Sequence, residues 1–300
     1  MKSISSTLII LLILFTWSCK PRVQEKDTFK PSFSTYRTDS AGSNVPKPKN
    51  EIFYGLLTPV EICAIFNRLG VPHNNTNLNP TSNKDKYLSS SKTALNTGIY
   101  GVDFGYIKIL GVGQEMIDYM VTIREMSNKL GIPDKYLTEP IKRIQGEMSD
   151  QDTIMSLMND AFNKMEEHLR ASGRESTAGL MVTGGWVEAL YIATQIVYDP
   201  AKPDPEVVQK IAEQKYTLTS LLSYMKNYYD DPVVVLYTKK LKYLKNYFDT
   251  FDIYFKKGDL EIDKSRKIFR SSGSEMTVTV ETLNKIRDYV KEMRTEMVTP

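Results

Sequence analysis

Two carboxylates stand apart from the other acids of this 300-residue chain. Asp103 is the only acid between Lys92 and Lys108, and Glu188 is the only acid in the apolar stretch Thr177–Tyr198. A carboxylate buried among apolar and aromatic side chains has a raised pKa, and such groups are enriched at functional sites. The candidate ligand-binding residues are therefore the two acids and the aromatic residues nearest to them: Tyr100, Asp103, Tyr106, Trp186, Glu188 and Tyr191.

The chemistry open to Asp103 and Glu188 depends on what surrounds them. Used as a general acid and base, they would suit a hydrolase of an envelope glycan, and carboxylate pairs of glycosidases lie roughly 5–9.5 Å apart. Held by a tyrosine hydroxyl, a helix cap or a basic side chain, they would be structural, and this is the preferred interpretation. A deep cleft that holds both carboxylates would favour the enzyme, whereas a packed region would favour a binding or scaffold protein.

Other catalytic chemistry has no motif in the sequence. The serine-hydrolase, zinc-protease, dinucleotide-binding and Walker patterns are absent. Neither His73 nor His168 has a carboxylate three residues before it, which argues against a di-iron helical bundle. We expect no metal and no cofactor. The formal net charge of +3 gives no reason to expect a nucleic-acid partner.

The N-terminus carries the pattern of an export signal. Basic Lys2 precedes an apolar run, Ile4–Trp17, that is too short to span a bilayer comfortably. Ser18 and Cys19 then resemble the bacterial lipoprotein box, in which the cysteine becomes the new N-terminus and receives acyl chains such as palmitate. Thr16 and Trp17 depart from that pattern. The alternative is an ordinary cleaved signal that leaves Cys19 as a free thiol.

Lipidation of Cys19 would place the chain in the bacterial cell envelope. Each buried CH₂ of an acyl chain contributes about 0.8 kcal/mol, so several chains anchor a protein stably. Lys20, rather than an aspartate, resembles lipoproteins passed on to the outer membrane, on either its periplasmic or its surface face. The predicted organisation is a signal peptide over 1–18, a lipidated cysteine and flexible tether over 19–50, and a single all-α domain over 51–300.

Helical spacing of apolar residues predicts an all-α fold, either a multi-helix bundle or an irregular α-solenoid-like array of about eight helices, with a small β-hairpin near 259–270. Thr177–Tyr198 is apolar on every side and is the predicted central, buried helix. The remaining predicted helices cover Pro59–Leu69, Lys84–Leu110, Gln114–Lys129, Thr138–Met148, 151–170, Pro205–Tyr229, Pro232–Phe255 and a terminal segment that starts at Thr279.

Small residues predict close contact between two of these helices. Glycine costs about 1 kcal/mol relative to alanine inside a helix, so several on one face indicate that another backbone approaches. One such stripe lies in Lys84–Leu110 and the other in the central helix. Their members are Ala94, Gly98, Gly101 and Gly105, and Ala178, Gly185, Ala189 and Ala193.

The predicted helix Pro232–Phe255 combines an apolar seam with a group of lysines. Apolar residues alternate spacings of three and four from Val234 to Phe255. Two interpretations remain open for the lysines in its first half: a solvated surface, which is preferred, and a contact with lipid headgroups or lipopolysaccharide. The four lysines are Lys239, Lys240, Lys242 and Lys245.

Three segments, Ala94–Tyr106, Gly184–Tyr191 and Ala212–Gln214, resemble a family of uncharacterised Bacteroidetes (Bacteroidota) lipoproteins with an all-helical domain. The resemblance would cover Tyr54–Tyr254. It implies a lipid anchor and a helical fold, has no activity attached to it, and places both unusual acids in characteristic segments. We therefore expect a lipid-anchored binding or scaffold protein whose partners are membrane lipid, through Cys19, and an envelope protein or glycan.

Overall fold

A computed structural model describes residues 77–111, 113–146, 151–255, 260–263, 268–271 and 274–300. The predicted signal peptide, Cys19, the tether and the helix Pro59–Leu69 lie outside these residues. The described part contains eight α-helices and confirms the all-α prediction. The helices are α1 Ser90–Leu110, α2 Gly113–Lys129, α3 Lys135–Gly146, α4 Gln151–Ala171, α5 Glu175–Ile192, α6 Pro205–Met225, α7 Pro232–Phe248 and α8 Val280–Val298.

Helix α5 is the centre of the fold, as its composition predicts. It packs against α1 along most of its length and also contacts α4, α6 and α8. By length and composition alone, Glu175–Val197 could cross a membrane, but 72% of its most apolar 18-residue stretch is buried inside the protein. That burial is typical of a core helix. The last turns, Ala193–Val197, are a π-helix rather than a continuation of the α-helix predicted to Tyr198.

The backbones of α1 and α5 touch, because glycines lie where they meet. A Cβ atom added to Gly98 would collide with the carbonyl oxygen of Met181, and one added to Gly184 would collide with that of Leu95. The predicted close contact is therefore confirmed at Gly98. Gly101 differs from the prediction, since its missing Cβ leaves room for the ring of Phe162 on α4 instead of another backbone.

Several predicted helix ends were wrong, for local reasons. Helix α1 begins at Ser90 instead of Lys84 because the Ser89 hydroxyl accepts a hydrogen bond from the backbone N–H of Lys92 and caps the helix. The residues before it, Thr81–Lys86, form a 3₁₀-helix. Helix α3 starts at Lys135, so Pro140 stands in the second turn rather than the first.

The C-terminal part of the fold also departs from the predicted helix Pro232–Phe255. Helix α7 ends at Phe248, and Ile253–Phe255 forms strand β1, which pairs antiparallel with β4, Ser274–Met276. The predicted small hairpin is present as β2, Leu260–Asp263, paired antiparallel with β3, Ile268–Ser271. After β4 the chain enters α8, which returns to pack on α5, α7 and α1.

Candidate functional site

The two unusual acids face each other across the contact between α1 and α5. Asp103 comes from α1 and Glu188 from α5, and neither has any exposed surface. Their side chains are in hydrogen-bond contact. They meet because the glycines of both helices, one to two turns earlier, bring the two backbones together. The sequence therefore identified the two acids correctly as unusual, and the structure brings them together.

A third charged residue, Arg294 on α8, completes the cluster. Its guanidinium forms two parallel hydrogen bonds to Glu188, Nε to Oε2 at 2.9 Å and Nη2 to Oε1 at 3.0 Å. The guanidinium carbon also lies 4.5 Å from the ring centre of Tyr191, so the cation stacks on an aromatic face. We call Asp103, Glu188 and Arg294 the buried charge cluster.

Asp103 is the acid of the cluster whose pKa is shifted towards the protonated form. Burial is the main reason that its pKa is raised well above the ordinary value, and the charge of Glu188 raises it further, although Arg294 opposes this. Oδ2 accepts a hydrogen bond of 3.1 Å from the backbone N–H of Asn79, while Oδ1 has no donor. A proton on Oδ1 resolves that deficit, because a neutral Asp103 can donate to the Glu188 carboxylate. The cluster is then one acid, one anion and one cation, with no net charge.

Asn79 and Pro80, in the non-helical segment before α1, cover the buried charge cluster. Besides its contact with Asp103, the backbone of Asn79 accepts a hydrogen bond from the Tyr119 hydroxyl at 2.9 Å, and the carbonyl of Pro80 accepts one from Tyr100 at 2.9 Å. Burial raises the pKa of both tyrosines, so both hydroxyls remain neutral donors. Hydrogen bonds between side chains of α1 and α2 and backbone groups of this segment therefore hold it against the cluster.

The side chain of Asn79 extends the same polar network towards the C-terminus. Its amide nitrogen donates to the side-chain oxygen Oδ1 of Asn96 at 2.9 Å and to the Tyr87 hydroxyl at 3.0 Å. Tyr87 in turn donates to the backbone carbonyl of Val298 at 2.9 Å. Asn79 and Asn96 have no exposed surface. The network thus links the covering segment, α1 and the end of α8.

The predicted aromatic residues divide into two groups. Tyr100 and Tyr191 belong to the surroundings of the buried charge cluster, as predicted. Trp186 does not, because its indole N–H donates to the Thr217 hydroxyl of α6 at 2.8 Å. Tyr106 is buried on α1. All six predicted ligand-binding residues are buried.

Sequence reasoning missed three contributors, Arg294, Asn79 and Tyr119. A signal for Arg294 was present, because it lies four residues after Val290 and three before Met297 on the buried face of α8. Charged residues at such positions are rarely left without a partner. Asn79 acts chiefly through a backbone N–H in a loop, which no sequence periodicity reports.

A groove of about 590 Å³ lies elsewhere, along the outer side of α8. Its lining includes Lys92, Lys291 and Thr295 but neither Asp103 nor Glu188. Among the residues that the structure describes, no three His, Cys, Asp or Glu side chains are grouped as a metal ion would need. Asp103 and Glu188 are fully buried and do not line this groove.

Comparison with known proteins identified no relative of this chain. No family model, no curated protein and no solved structure matches the chain. The resemblance to Bacteroidetes lipoproteins consequently stays a prediction from the sequence.

Proposed function

We propose that this protein is a lipid-anchored component of the bacterial envelope whose helical domain acts as a binding or scaffold module. The observation that carries the proposal is that both candidate catalytic acids, Glu188 and Asp103, are buried and already hydrogen-bonded within the protein. Glu188 is held by both nitrogens of the Arg294 fork, and Asp103 is covered by the backbone of Asn79. Buried acids with these partners connect the packed helices. A partner would therefore bind at the surface of the domain and not at these acids.

The alternative, a hydrolase of an envelope glycan that uses Asp103 and Glu188, fits this geometry less well. A general acid beside a carboxylate is familiar chemistry, and the raised pKa of Asp103 suits an acid. Glycosidase carboxylates, however, lie roughly 5–9.5 Å apart on either side of a sugar. Here the two groups contact each other directly and neither is exposed, so no sugar fits between them.

The decisive experiment compares wild-type protein with Glu188→Gln and Asp103→Asn, all isolated with their lipid from the envelope. Each is incubated with purified peptidoglycan and with envelope polysaccharide, and new reducing ends are counted. In parallel, cells carrying each form are treated with a reversible cross-linker, and the recovered partners are quantified. We expect no reducing ends from any of the three proteins. Partner recovery should be equal once it is normalised to the folded fraction, because Glu188→Gln leaves Arg294 without its buried anion. Release of reducing ends by the wild type that stops in a fully folded Glu188→Gln protein would establish the hydrolase instead.

A further inference from the structure

The face of α7 that points away from the core carries apolar and basic side chains together. Leu236 and Tyr243 are 44% and 52% exposed, and they lie seven residues apart, on the same side of the helix. Lys239 lies between them on that side and is exposed. Core-facing residues such as Leu241 and Phe248 occupy the opposite side. We call Leu236, Lys239, Lys242, Tyr243 and the adjoining Tyr229 the α7 outer face.

The lysines of this helix fall into two classes. Lys240 is paired with Glu296 at 2.6 Å and Lys245 with Asp249 at 2.6 Å. Lys239 and Lys242 have no carboxylate within ion-pair distance among the described residues. The Nζ of Lys242 instead lies 5.6 Å from the ring centre of Tyr229, which is 41% exposed. Both uncompensated cations therefore sit beside exposed apolar side chains.

Tyrosines continue the α7 outer face towards α8. The rings of Tyr243 and Tyr289 are 4.9 Å apart, and Tyr247 lies 5.6 Å from Tyr243. Beyond them, on α8, the exposed acid Glu292 faces Tyr289 and Tyr247. The surface thus has a basic side and an acidic edge, with the aromatic rings between them.

Clustering argues that this surface has an occupant. Of the eight large hydrophobic side chains exposed in the described residues, three belong to the α7 outer face: Tyr229, Leu236 and Tyr243. Tyrosine and leucine beside unpaired lysine match a bilayer surface, where the rings lie at headgroup depth and the ammonium groups meet anionic lipid. Each lysine near an anionic surface strengthens binding by roughly fivefold.

We propose that the α7 outer face binds the surface of an anionic lipid bilayer, holding the domain flat against the membrane that carries its anchor. This inference rests on the proposed lipid anchor, since an anchored domain meets its own membrane at an effective concentration on the order of millimolar. Weak contacts are then sufficient. The sequence left open whether these lysines are merely solvated, and the structure assigns Lys239 and Lys242 to lipid while assigning Lys240 and Lys245 to acids of this chain.

A tryptophan placed in the α7 outer face tests the inference. Lipidated Tyr243→Trp protein is incorporated into vesicles of phosphatidylethanolamine and phosphatidylglycerol that contain brominated lipid, a fluorescence quencher. Val121→Trp, at a position that is 45% exposed on α2, is the matched control. The native Trp186 is buried and gives a constant background. We expect at least twofold stronger quenching and a blue-shifted emission for Tyr243→Trp. Equal quenching at the two positions would overturn the inference. Protection of residue 243 that appears only when an envelope protein is added would also overturn it.

Charge is tested in the same background. Adding Lys239→Gln and Lys242→Gln to the Tyr243→Trp protein removes two cations and should abolish most of the quenching. Adding Lys135→Gln and Lys142→Gln, on α3, removes the same charge elsewhere and should leave it unchanged. Replacing the anionic vesicles with phosphatidylcholine vesicles, or adding 0.5 M salt, should reduce the quenching as Lys239→Gln and Lys242→Gln do. Quenching that survives all of these changes would show proximity without anionic recognition and would overturn the inference.

The anchor is assessed separately, by flotation of the vesicles and by intact mass. Protein that floats and carries acyl chains, yet shows no quenching at residue 243, leaves the anchor standing and overturns only the docking face. Protein without acyl chains contradicts the proposed anchoring. That protein is then titrated with the anionic vesicles to millimolar lipid, where quenching specific to residue 243 supports the face and its absence overturns it.

Discussion

Glu188 and Arg294, which are 106 residues apart in the chain, form a two-pronged ion pair with N–O distances of 2.9 and 3.0 Å. The pair ties the last helix, α8, to the central helix, α5. Only 9% of the Arg294 side chain and none of Glu188 is exposed. A buried ion pair of this kind adds little net stability compared with a packed apolar pair, but removing one partner is costly.

Replacement of Arg294 by methionine should strongly destabilise the protein. The substitution leaves Glu188 as a buried anion with a protonated acid as its remaining neighbour, and breaking a buried pair typically costs about 3–5 kcal/mol. Urea denaturation followed by circular dichroism measures this free energy of unfolding. Arg294→Lys should recover only part of it, because an ammonium group keeps the charge but loses the fork and the stacking on Tyr191.

The double variant Glu188→Gln, Arg294→Met provides the control for the ion pair. With the anion gone, loss of the arginine should cost much less than it does alone, so the two changes should be non-additive by about 1–3 kcal/mol. Additive costs would mean that the guanidinium stabilises the fold through packing alone.

Stability should depend on pH through Asp103, with a sign opposite to that of an ordinary salt-bridged acid. Its pKa is raised in the folded protein, mainly by burial and then by the charge of Glu188. The folded state therefore binds a proton that the unfolded state releases above about pH 4. This contribution is fully present below pH 4 and is lost as pH rises towards the folded pKa, at up to roughly 1.4 kcal/mol per pH unit.

Asp103→Asn should remove that slope. An amide can donate to Glu188 and accept from the Asn79 N–H, as the protonated acid does, so the variant should be at least as stable as the wild type at pH 7. Asp134→Asn is the matched control, because hydrogen bonds from Arg124 lower the pKa of that exposed acid. Its contribution is present above about pH 4 and lost on acidification. Urea midpoints between about pH 2 and 8 measure both contributions. An unchanged slope above about pH 4 in Asp103→Asn would show that Asp103 is ionised in the native protein.

Much of the cluster could be predicted because its acids are chemically out of place. Asp103 and Glu188 are single charges in apolar segments, so composition alone reveals them. Arg294 is harder to find, because α8 is rich in charges and only the position of each one on the helix separates surface from core. The role of Asn79 depends on where a loop places one N–H group, and that placement is a product of tertiary packing.

Helix ends show the same division between local and tertiary information. The apolar seam of α7 continues in sequence through Phe251 to Phe255, which predicted a longer helix. Phe251 is indeed buried, and its ring lies 6.0 Å from that of Phe248. It reaches the core from a turn, however, and its carbonyl accepts a hydrogen bond from Lys215 on α6. The apolar pattern predicted burial correctly, but it could not distinguish a helix from a turn that buries the same ring.

Lipidation is tested at Cys19 itself. Because the thiol of Cys19 would receive the acyl chains, Cys19→Ser should abolish acylation and shift the protein out of the membrane fraction or leave it uncleaved. Intact-mass spectrometry of the mature wild type should show the acyl chains on Cys19. Cys63→Ser is the matched control and should retain them. A mature wild-type protein without the added mass would refute the predicted anchor.

The final prediction separates two adjacent glycines of α5. Gly184→Ala would place a methyl group against the backbone carbonyl of Leu95, which can move only if α1 and α5 separate. We expect a loss of at least about 3 kcal/mol, beyond the usual ~1–3 kcal/mol of overpacking, or no folded protein at all. Circular dichroism and urea denaturation measure the loss.

Gly185→Ala is the matched control for this contact. Its added Cβ would lie 3.4 Å from the Gly98 carbonyl oxygen, an ordinary separation, and alanine gains about 1 kcal/mol of helix propensity. The two effects should leave stability within about 1 kcal/mol of the wild type. Gly101→Ala should fall between the two, because it displaces the partly exposed ring of Phe162 and no backbone. If Gly184→Ala were as stable as Gly185→Ala, the backbones of α1 and α5 could not be in contact, and the placement of Asp103 against Glu188 would lose its structural basis.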